Sequence, residues 1–382
     1  MHVLHVISSL DPGTGGPTTA LHGLTRAQVQ AGLSVSVVAT AVGDEADKPA
    51  ERLRASGVNV RIIKRCRGRL VRHPELSATV AEMVAQADLV HIHALWEEIQ
   101  HQAARHARKA RIPYLIRPCG MLDPWSLNQN RWVKRLYMSW RLRKNLNQAR
   151  AIHFTSQTEY DLTRTLRLRA PAIIEPNGVD LAEFETLPPP GAFCSRHPQL
   201  ADRRIVLFLS RLHHKKGLEL LLPAFAQLNM PDTMLVLAGP DSDGYRVKLE
   251  QTVQSLGMTD RVLFTGMLMG RDRIEALTDA ELFVLPSYQE NFGISVVEAL
   301  AAGCPVLISD QVNIHREVVE AGVGGAVPIA IAAIRDGLRR WLDDDLLRTE
   351  ASRKARPFVW QHYDWKQIAL RWSDHYRRML MP

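Results

Sequence analysis

The sequence predicts an α/β protein made of two doubly wound domains, and three observations lead there. Short β-branched or aliphatic runs alternate with segments of helical period along most of the chain, the rhythm of parallel sheets joined by crossover helices. The 382 residues exceed one ordinary core and suit two domains. That rhythm breaks once, at Glu175-Pro176-Asn177-Gly178-Val179-Asp180 and the following Pro188-Pro189-Pro190-Gly191, where prolines bar entry to a sheet interior.

In the first half, strands are expected at residues 3 to 7, 34 to 39, 58 to 63, 89 to 93, 114 to 117 and 151 to 155, each a run of Val, Ile, Leu and their like. Helices are expected between them near 17 to 30, 75 to 86, 97 to 109, 131 to 147 and 159 to 168, where apolar residues recur at a period near 3.6. The break gives a linker over 177 to 203. A second series then places strands at 205 to 210, 234 to 238, 262 to 265, 282 to 285 and 306 to 309, with terminal helices at 335 to 341, 346 to 360 and 365 to 380. No internal repeat of solenoid length is present.

Composition narrows the function classes. The first strand starts almost at the initiator with His2 and His5 inside it, so no signal peptide is expected, and no stretch of eighteen uncharged apolar residues reads as a membrane span. Cys66, Cys119, Cys194 and Cys304 are scattered without a C-x-x-C pair, which argues against zinc and disulfides and for a reduced cytoplasm. The charge is lopsided: residues 1 to 176 hold 25 Lys and Arg against 14 Asp and Glu, and residues 177 to 382 hold 23 against 26. Two clusters carry the excess, residues 64 to 72 and the Arg131 to Arg150 segment, where the cations interleave with Trp132, Leu136, Tyr137 and Trp140. That helix suits an anionic bilayer surface; a domain helix with its apolar stripe on the sheet and its arginines solvated is the equal alternative. Nucleic acid is not expected, because no helix-turn-helix, RRM or zinc-finger pattern accompanies the charge.

In open α/β sheets ligands sit beyond the carboxyl ends of the strands. The first such loop holds Gly13, Gly15 and Gly16, whose backbone permits close approach of a phosphate or sugar; Thr18 stands where a dinucleotide fingerprint needs a third glycine. His93 and Trp96 end the fourth strand, the tryptophan able to stack on a sugar ring. Arg211 and Lys216 follow the first strand of the second series, five residues apart, where both can converge on one diphosphate, with Lys215 in reserve and His213 and His214 beside them. Asp241-Ser242-Asp243 has the form of a metal-binding D-x-D, read here as an ordinary turn, and Asp343 to Asp345 as a solvated loop. The strongest stretch is Glu290-Asn291-Phe292-Gly293-Ile294-Ser295-Val296-Val297-Glu298. Two glutamates straddle the start of a helix whose free amides favour a diphosphate. Glu290 can accept hydrogen bonds from sugar hydroxyls, and Glu298, about two turns further on, from a ribose.

That spacing, with the flanking Leu285-Pro286-Ser287 and Cys304-Pro305-Val306 runs, resembles the E-x7-E signature of retaining glycosyltransferases of group 1, or family 4. The resemblance covers nearly the whole chain, is strongest over 205 to 325, and implies the GT-B architecture: two Rossmann-like domains facing across a cleft. It implies an acceptor domain at 1 to 176 completed by a last helix at about 361 to 382, and a nucleotide-sugar domain at 204 to 360. The implied reaction is hexosyl transfer with retention, metal- and cofactor-free, from a UDP-, GDP- or ADP-sugar to a saccharide or polyprenyl-diphosphate-linked acceptor. Arg211, Lys216 and Glu290 are then the catalytic groups. The donor is held by Gly15, Gly16, Arg211, Lys216, Gly266, Met267, Glu290, Asn291, Phe292, Gly293, Ile294 and Glu298, and the acceptor by His93, Trp96 and Arg117. Residues 116 to 125 resemble a segment of a subgroup that builds surface polysaccharides (exopolysaccharide, O-antigen, capsule), acting in the cytoplasm or at the inner face of the membrane. Two departures stand out: Cys119 replaces the subgroup's arginine, and Arg117 lies nearest the place of the crevice histidine of many relatives. An epimerase or phosphorylase of the same fold lacks its required groups here, and a catalytically impaired glycan-binding or scaffold protein is the alternative from another class.

Overall fold

The computed structural model describes residues 1–11, 16–42, 47–241 and 244–381. The chain divides into two compact units, Met1–Gly178 with Asp364–Pro382, and Val179–Tyr363.

The first unit is built from β1 (His2–Ile7), α1 (Gly16–Gln30), β2 (Ser34–Thr40), α2 (Asp47–Ala55), β3 (Asn59–Ile63), α3 (Leu76–Ala85), β4 (Leu89–His93), α4 (Glu98–Ala110), β5 (Tyr114–Arg117), α5 (Pro124–Asn128), α6 (Arg131–Tyr137), α7 (Arg143–Asn147), β6 (Ala151–Phe154), α8 (Gln157–Thr163) and β7 (Ala172–Ile174). Its seven parallel strands run in the order β3-β2-β1-β4-β5-β6-β7, so the winding reverses between β1 and β4. Strand periodicity divides the apolar residues between two faces. Leu4, Val6, Val90, Ile92 and Ile116 pack with α3 and α4. Val3, Ile7, Leu89 and Leu115 pack with α1 and with the chain's last helix through Trp365, Ile368, Trp372 and Tyr376.

The second unit comprises β8 (Arg204–Leu209), α9 (Leu218–Ala226), β9 (Thr233–Ala238), α10 (Tyr245–Ser255), β10 (Val262–Gly266), α11 (Gly270–Asp279), β11 (Leu282–Leu285), α12 (Ile294–Ala301), β12 (Val306–Ser309), α13 (His315–Glu320), β13 (Gly324–Val327), α14 (Ile331–Asp343) and α15 (Asp345–His362). Its six-stranded parallel sheet has the order β10-β9-β8-β11-β12-β13, with the reversal between β8 and β11. The chain then returns to the first unit as α16 (Trp365–Leu380).

Edge strands β7 and β13 and helix α2 are among the elements that were not expected. β7 is three residues long with two exposed side chains, too short for a pattern. β13 begins Gly324-Gly325 because it runs against β12, where a Cβ on Gly324 would lie 2.3 Å from the Val306 carbonyl oxygen. The mean composition of α2 is strongly polar, so it offered no apolar stripe.

The segment expected to be a linker is packed instead. Val179, Leu181, Phe184, Phe193 and Leu200 are buried in the core of the second unit, and the Asp279 carboxylate accepts the amides of Gly191, Phe193 and Cys194. Proline excludes this stretch from the sheet, yet single 3-10 turns admit it to the core.

The helix expected over residues 131 to 147 is present as α6 and α7 joined by a wider π turn, Met138–Leu142. It carries apolar residues on both sides. Met138, Leu142 and Leu146 face the core, while Trp132, Leu136 and Trp140 stay 75, 72 and 67% exposed.

Candidate functional site

At the reversal between β8 and β11, loops 210–217 and 286–293 are tied together. The Tyr288 amide donates to the Lys215 carbonyl at 2.8 Å, and Lys216 ion-pairs with the Glu290 carboxylate. Gly217, at φ +69°, comes so close to the second loop that a Cβ there would sit 2.1 Å from the Pro286 carbonyl oxygen. The His213 ring accepts the Lys215 amide at 3.1 Å, closing the turn that presents the lysines.

This turn concentrates positive charge. Burial, then the adjacent Lys216, holds the Lys215 amine below the usual lysine range; Glu290 offsets this in part and Arg211 adds to it. Arg211 is exposed and has no ion-pair partner among the described residues. Three cations and one carboxylate therefore share a short rim, an arrangement that favours a bound polyanion.

Glu290 is fixed through its backbone: its amide donates to the Gln311 carbonyl and its own carbonyl accepts from Asn313. Gly293, at φ +79°, then turns the chain into α12, whose first amides lack intrahelical acceptors and carry the positive end of the helix dipole. Glu298 is the fifth residue of α12, just over one turn in rather than two. Its Oε1 lies 3.2 Å from Arg273 Nη1, and Arg273 also pairs with Glu183. Burial pushes the Glu298 carboxyl up, Arg273 opposes that, and Glu183 reinforces it. Arg273, on α11, went unrecognised because no motif or spacing links it to Glu298.

The other donor candidates vary in exposure. Phe292 is buried edge-on against Tyr363, with ring centroids 5.7 Å apart. Asn291 Oδ1 accepts from Asn313 at 3.4 Å, and Ile294 is half-buried. Gly266 ends β10 at φ +75° and its carbonyl accepts the Gly239 amide, while Met267 beside it is exposed. Gly16 is the exposed first residue of α1. Gly15 lies outside the described residues, as does Asp243; Asp241 accepts the Arg246 amide at the start of α10.

In the first unit His93 is completely buried at the end of β4, in register with Arg117 on β5. Arg117 is buried too, its Nη2 donating to Asn177 Oδ1 at 2.6 Å. Trp96 is half-buried, edge-on to Tyr137 at 5.8 Å, with the Lys134 amine 5.3 Å from its ring, so neighbours already cover part of the ring expected to stack on sugar. Cys119 is at φ +55°, and burial pushes its thiol up. Ligand nitrogens of His5, His91 and His93 lie within 4.8 Å of one another, a grouping able to hold a metal. Hydrogen bonds already occupy most of them, and the nearby Arg117 charge opposes a cation.

The two doubly wound units and their switch-point loops define a GT-B glycosyltransferase fold. Anabaena HepE in complex with UDP and glucose superposes with a TM-score of 0.81 over 99% of this chain and 100% of its own, at 21% identity. The sucrose-phosphate synthase of Thermosynechococcus elongatus gives 0.76 over 99% and 98%, also at 21%. Residues 195–358 match the family described as glycosyl transferases group 1, and residues 15–178 the glycosyl transferase 4-like domain. The chain belongs to the group 1, family 4 type of glycosyltransferases. The phosphatidyl-myo-inositol mannosyltransferase of Mycobacterium tuberculosis is 31% identical over 222 residues, 55% of each chain. The alpha-D-kanosaminyltransferase of Streptomyces kanamyceticus is 34% identical over 163 residues, 41% of each. The chain thus matches about half the length of these curated relatives or less.

Proposed function

We propose that this chain transfers a hexosyl group, with retention of configuration, from a nucleoside-diphosphate sugar bound by the second unit to a saccharide acceptor bound by the first. The observation carrying the reading is the joined pair of loops in the second unit, which gathers Arg211, Lys215, Lys216, Glu290 and the start of α12 at one place. In this reading the diphosphate takes the place of Glu290 beside Lys216 and accepts the first α12 amides, which stabilise the leaving group as charge builds on it. Glu290, released, turns to the sugar hydroxyls, and Glu298, aligned by Arg273, receives the ribose. These cations and amides supply the potential a metal would otherwise give, so transfer proceeds without one.

The acceptor is a lipid-linked saccharide of surface-polysaccharide assembly, met at an anionic membrane surface. Support comes from the outward side of residues 131–147, where exposed Trp132, Val133, Leu136 and Trp140 stand among Arg131, Arg135, Arg143 and Lys144, a composition that inserts rings at headgroup depth beside anionic lipid. Glu98 joins this helix to the other basic cluster, at residues 64–72: it pairs with Arg141 and Arg72, and its amide donates to the Leu70 carbonyl. Among the described residues no helix is long and apolar enough to cross a membrane. A thermal-shift panel of UDP-, GDP- and ADP-sugars tests the donor reading, since a ligand of the native state raises its stability with the logarithm of concentration over Kd. No stabilisation by any of the three would refute it.

A further inference from the structure

Across the face of the first sheet that meets α1 and α16 runs one continuous chain of buried polar side chains. His93 Nε2 lies 2.9 Å from His5 Nδ1, and His5 Nε2 2.8 Å from Gln28 Oε1. Gln28 Nε2 donates to the Tyr376 hydroxyl at 3.0 Å, and that hydroxyl lies 2.9 Å from His91 Nδ1. His91 Nε2 is 3.2 Å from His153 Nδ1, and His153 Nε2 2.8 Å from the Glu175 carbonyl oxygen.

The last link sets the direction of all the others. A carbonyl only accepts, so His153 carries its proton on Nε2 and, being neutral, accepts at Nδ1. His91 must then donate from Nε2 and accept the Tyr376 proton at Nδ1. The Tyr376 oxygen accepts from Gln28, whose carbonyl takes the Nε2 proton of His5, and His5 Nδ1 takes the Nε2 proton of His93. Turning the Gln28 amide round would reverse the sequence and leave two acceptors facing each other at Glu175. All donors therefore point from His93 towards Glu175, a head-to-tail order in which each bond polarises the next. The neutral state is enforced by burial, which holds all four imidazoles well below their ordinary range, with the Arg117 charge acting in the same direction.

The free end of this chain is His93 Nδ1, a buried lone pair with no partner among the described residues. Arg117, its register neighbour on β5, has buried Nε and Nη1 groups equally without partners. A buried lone pair and two buried N–H donors on register neighbours complement a group that both donates and accepts, which is a hydroxyl. A carboxylate or phosphate would satisfy Arg117 and repel the His93 lone pair.

We propose that His93 Nδ1 and Arg117 together hold one hydroxyl of the acceptor, or the water that stands in for it, and that His5, Gln28, Tyr376, His91 and His153 are positioning residues that fix His93 in its accepting tautomer. The chain ends on a carbonyl that cannot take up a proton, so it orients the hydroxyl and conducts nothing. The last helix, through Tyr376, thereby acts on a site at the end of β4. The proposal rests on the transferase reading for its substrate, and the tautomers follow from the hydrogen-bonded chain and the burial of its rings.

Long-range 1H–15N spectra of the full chain labelled at histidine test the tautomers at neutral pH without any ligand. Nε2–H at His5, His91, His93 and His153 is expected; Nδ1–H at His93, or exchange between tautomers there, overturns the proposal. Gln28→Met cuts the chain between His5 and Tyr376, and Tyr376→Phe cuts it one link on if the first variant does not fold. Either is expected to give mixed tautomers at its cut. Either also lowers about tenfold the kcat for hydrolysis of the nucleotide-sugar that most stabilises the chain, with KM for that donor unchanged, because water then occupies the hydroxyl site. An unchanged kcat in a folded variant overturns the positioning role. Absence of any donor binding would instead count against the transferase reading and leave the tautomer spectra to judge the chain itself.

Discussion

Lowering the pH from 7.5 to 5.0 should unfold the first unit before ordinary carboxylates begin to protonate. His5 is held at about 4 by burial, aided by Arg117 and resisted by its bond to Gln28, and His91, His93 and His153 are held well below the ordinary range by burial, with one another's fields and that of Arg117 acting the same way. A free histidine titrates near 6.5. Between the two values the unfolded chain binds protons that the native state refuses, so stability is complete above about 6.5 and falls as pH drops towards the folded values. A ring that stays neutral down to pH 5 costs about 2 kcal/mol, and four such rings together would cost roughly 8 kcal/mol, which is of the order of a domain's whole stability. The slope approaches about 5 kcal/mol per pH unit. Urea unfolding followed by tryptophan fluorescence reads it, because Trp372 packs edge-on against the His153 ring, 4.5 Å between centroids. His5→Gln keeps one donor and one acceptor in place and should remove about a quarter of the slope. A first-unit transition whose stability is flat from pH 7.5 to 5, or a slope untouched by His5→Gln, would refute the reasoning.

Lys216→Ala and Glu298→Ala should each weaken nucleotide-sugar binding by about 1.5 to 3 kcal/mol, the worth of a charged hydrogen bond, with thermal unfolding of the free protein little changed; calorimetric titration reads both. Arg273→Ala leaves Glu298 and Glu183 facing each other without their shared cation and should impair donor affinity as much as Glu298→Ala does, whereas wild-type affinity would deny that Arg273 aligns Glu298. Gly217→Ala should destabilise the second unit by more than about 1 kcal/mol, since it combines a left-handed backbone with a 2.1 Å clash against backbone; an unshifted melt would count against the loop geometry. In liposome flotation, anionic vesicles should retain the chain and neutral ones should not, and Trp132→Ala with Trp140→Ala should release it; binding that ignores lipid charge or both tryptophans would exclude this surface. Transfer should survive EDTA and give a product of retained anomeric configuration by NMR, and strict dependence on Mn²⁺ or Mg²⁺ would overturn the assignment of leaving-group stabilisation to Arg211, Lys216 and α12.

Central strands were legible in the sequence to within a residue or two: β4, β5, β11 and β12 fall where they were read, because a strand buried on both faces tends to a continuous aliphatic run, a signal that β4 and β5 keep despite His91, His93 and Arg117. What escaped was structure whose cause lies elsewhere in the chain. The glycines of β13 answer to the approach of β12, and the stretch after Asn177 answers to pockets of the second unit that accept Phe184 and Phe193. The site shows the same division. A helix start with flanking glutamates is local and was read; the Arg273 that aligns one of them is brought by tertiary packing and has no local mark. His2, His5, His91 and His93 were visible as polar residues inside strands, but that three of the four join one hydrogen-bonded chain depends on Gln28 and Tyr376, which are 348 residues apart.

The pairing of Lys216 with Glu290 bears on why the glutamates stand eight residues apart. Both loops leave neighbouring strands at the reversal of the sheet, which brings the Glu290 carboxylate onto the Lys216 amine as an ion pair. In the proposed reading an incoming diphosphate, carrying more charge than Glu290, would replace it on Lys216 and also accept the α12 amides, while the Glu290 backbone stays anchored to residues 311 and 313 ahead of the helix. That exchange would free a carboxylate just outside the helix end, beside the departing group. Glu298 does not take part in that exchange, because Arg273 holds it one turn further in. A shorter spacing would place both carboxylates on the diphosphate, where like charges repel; in the proposed reading the eight-residue spacing would set one carboxylate at each end of the anion and none on it.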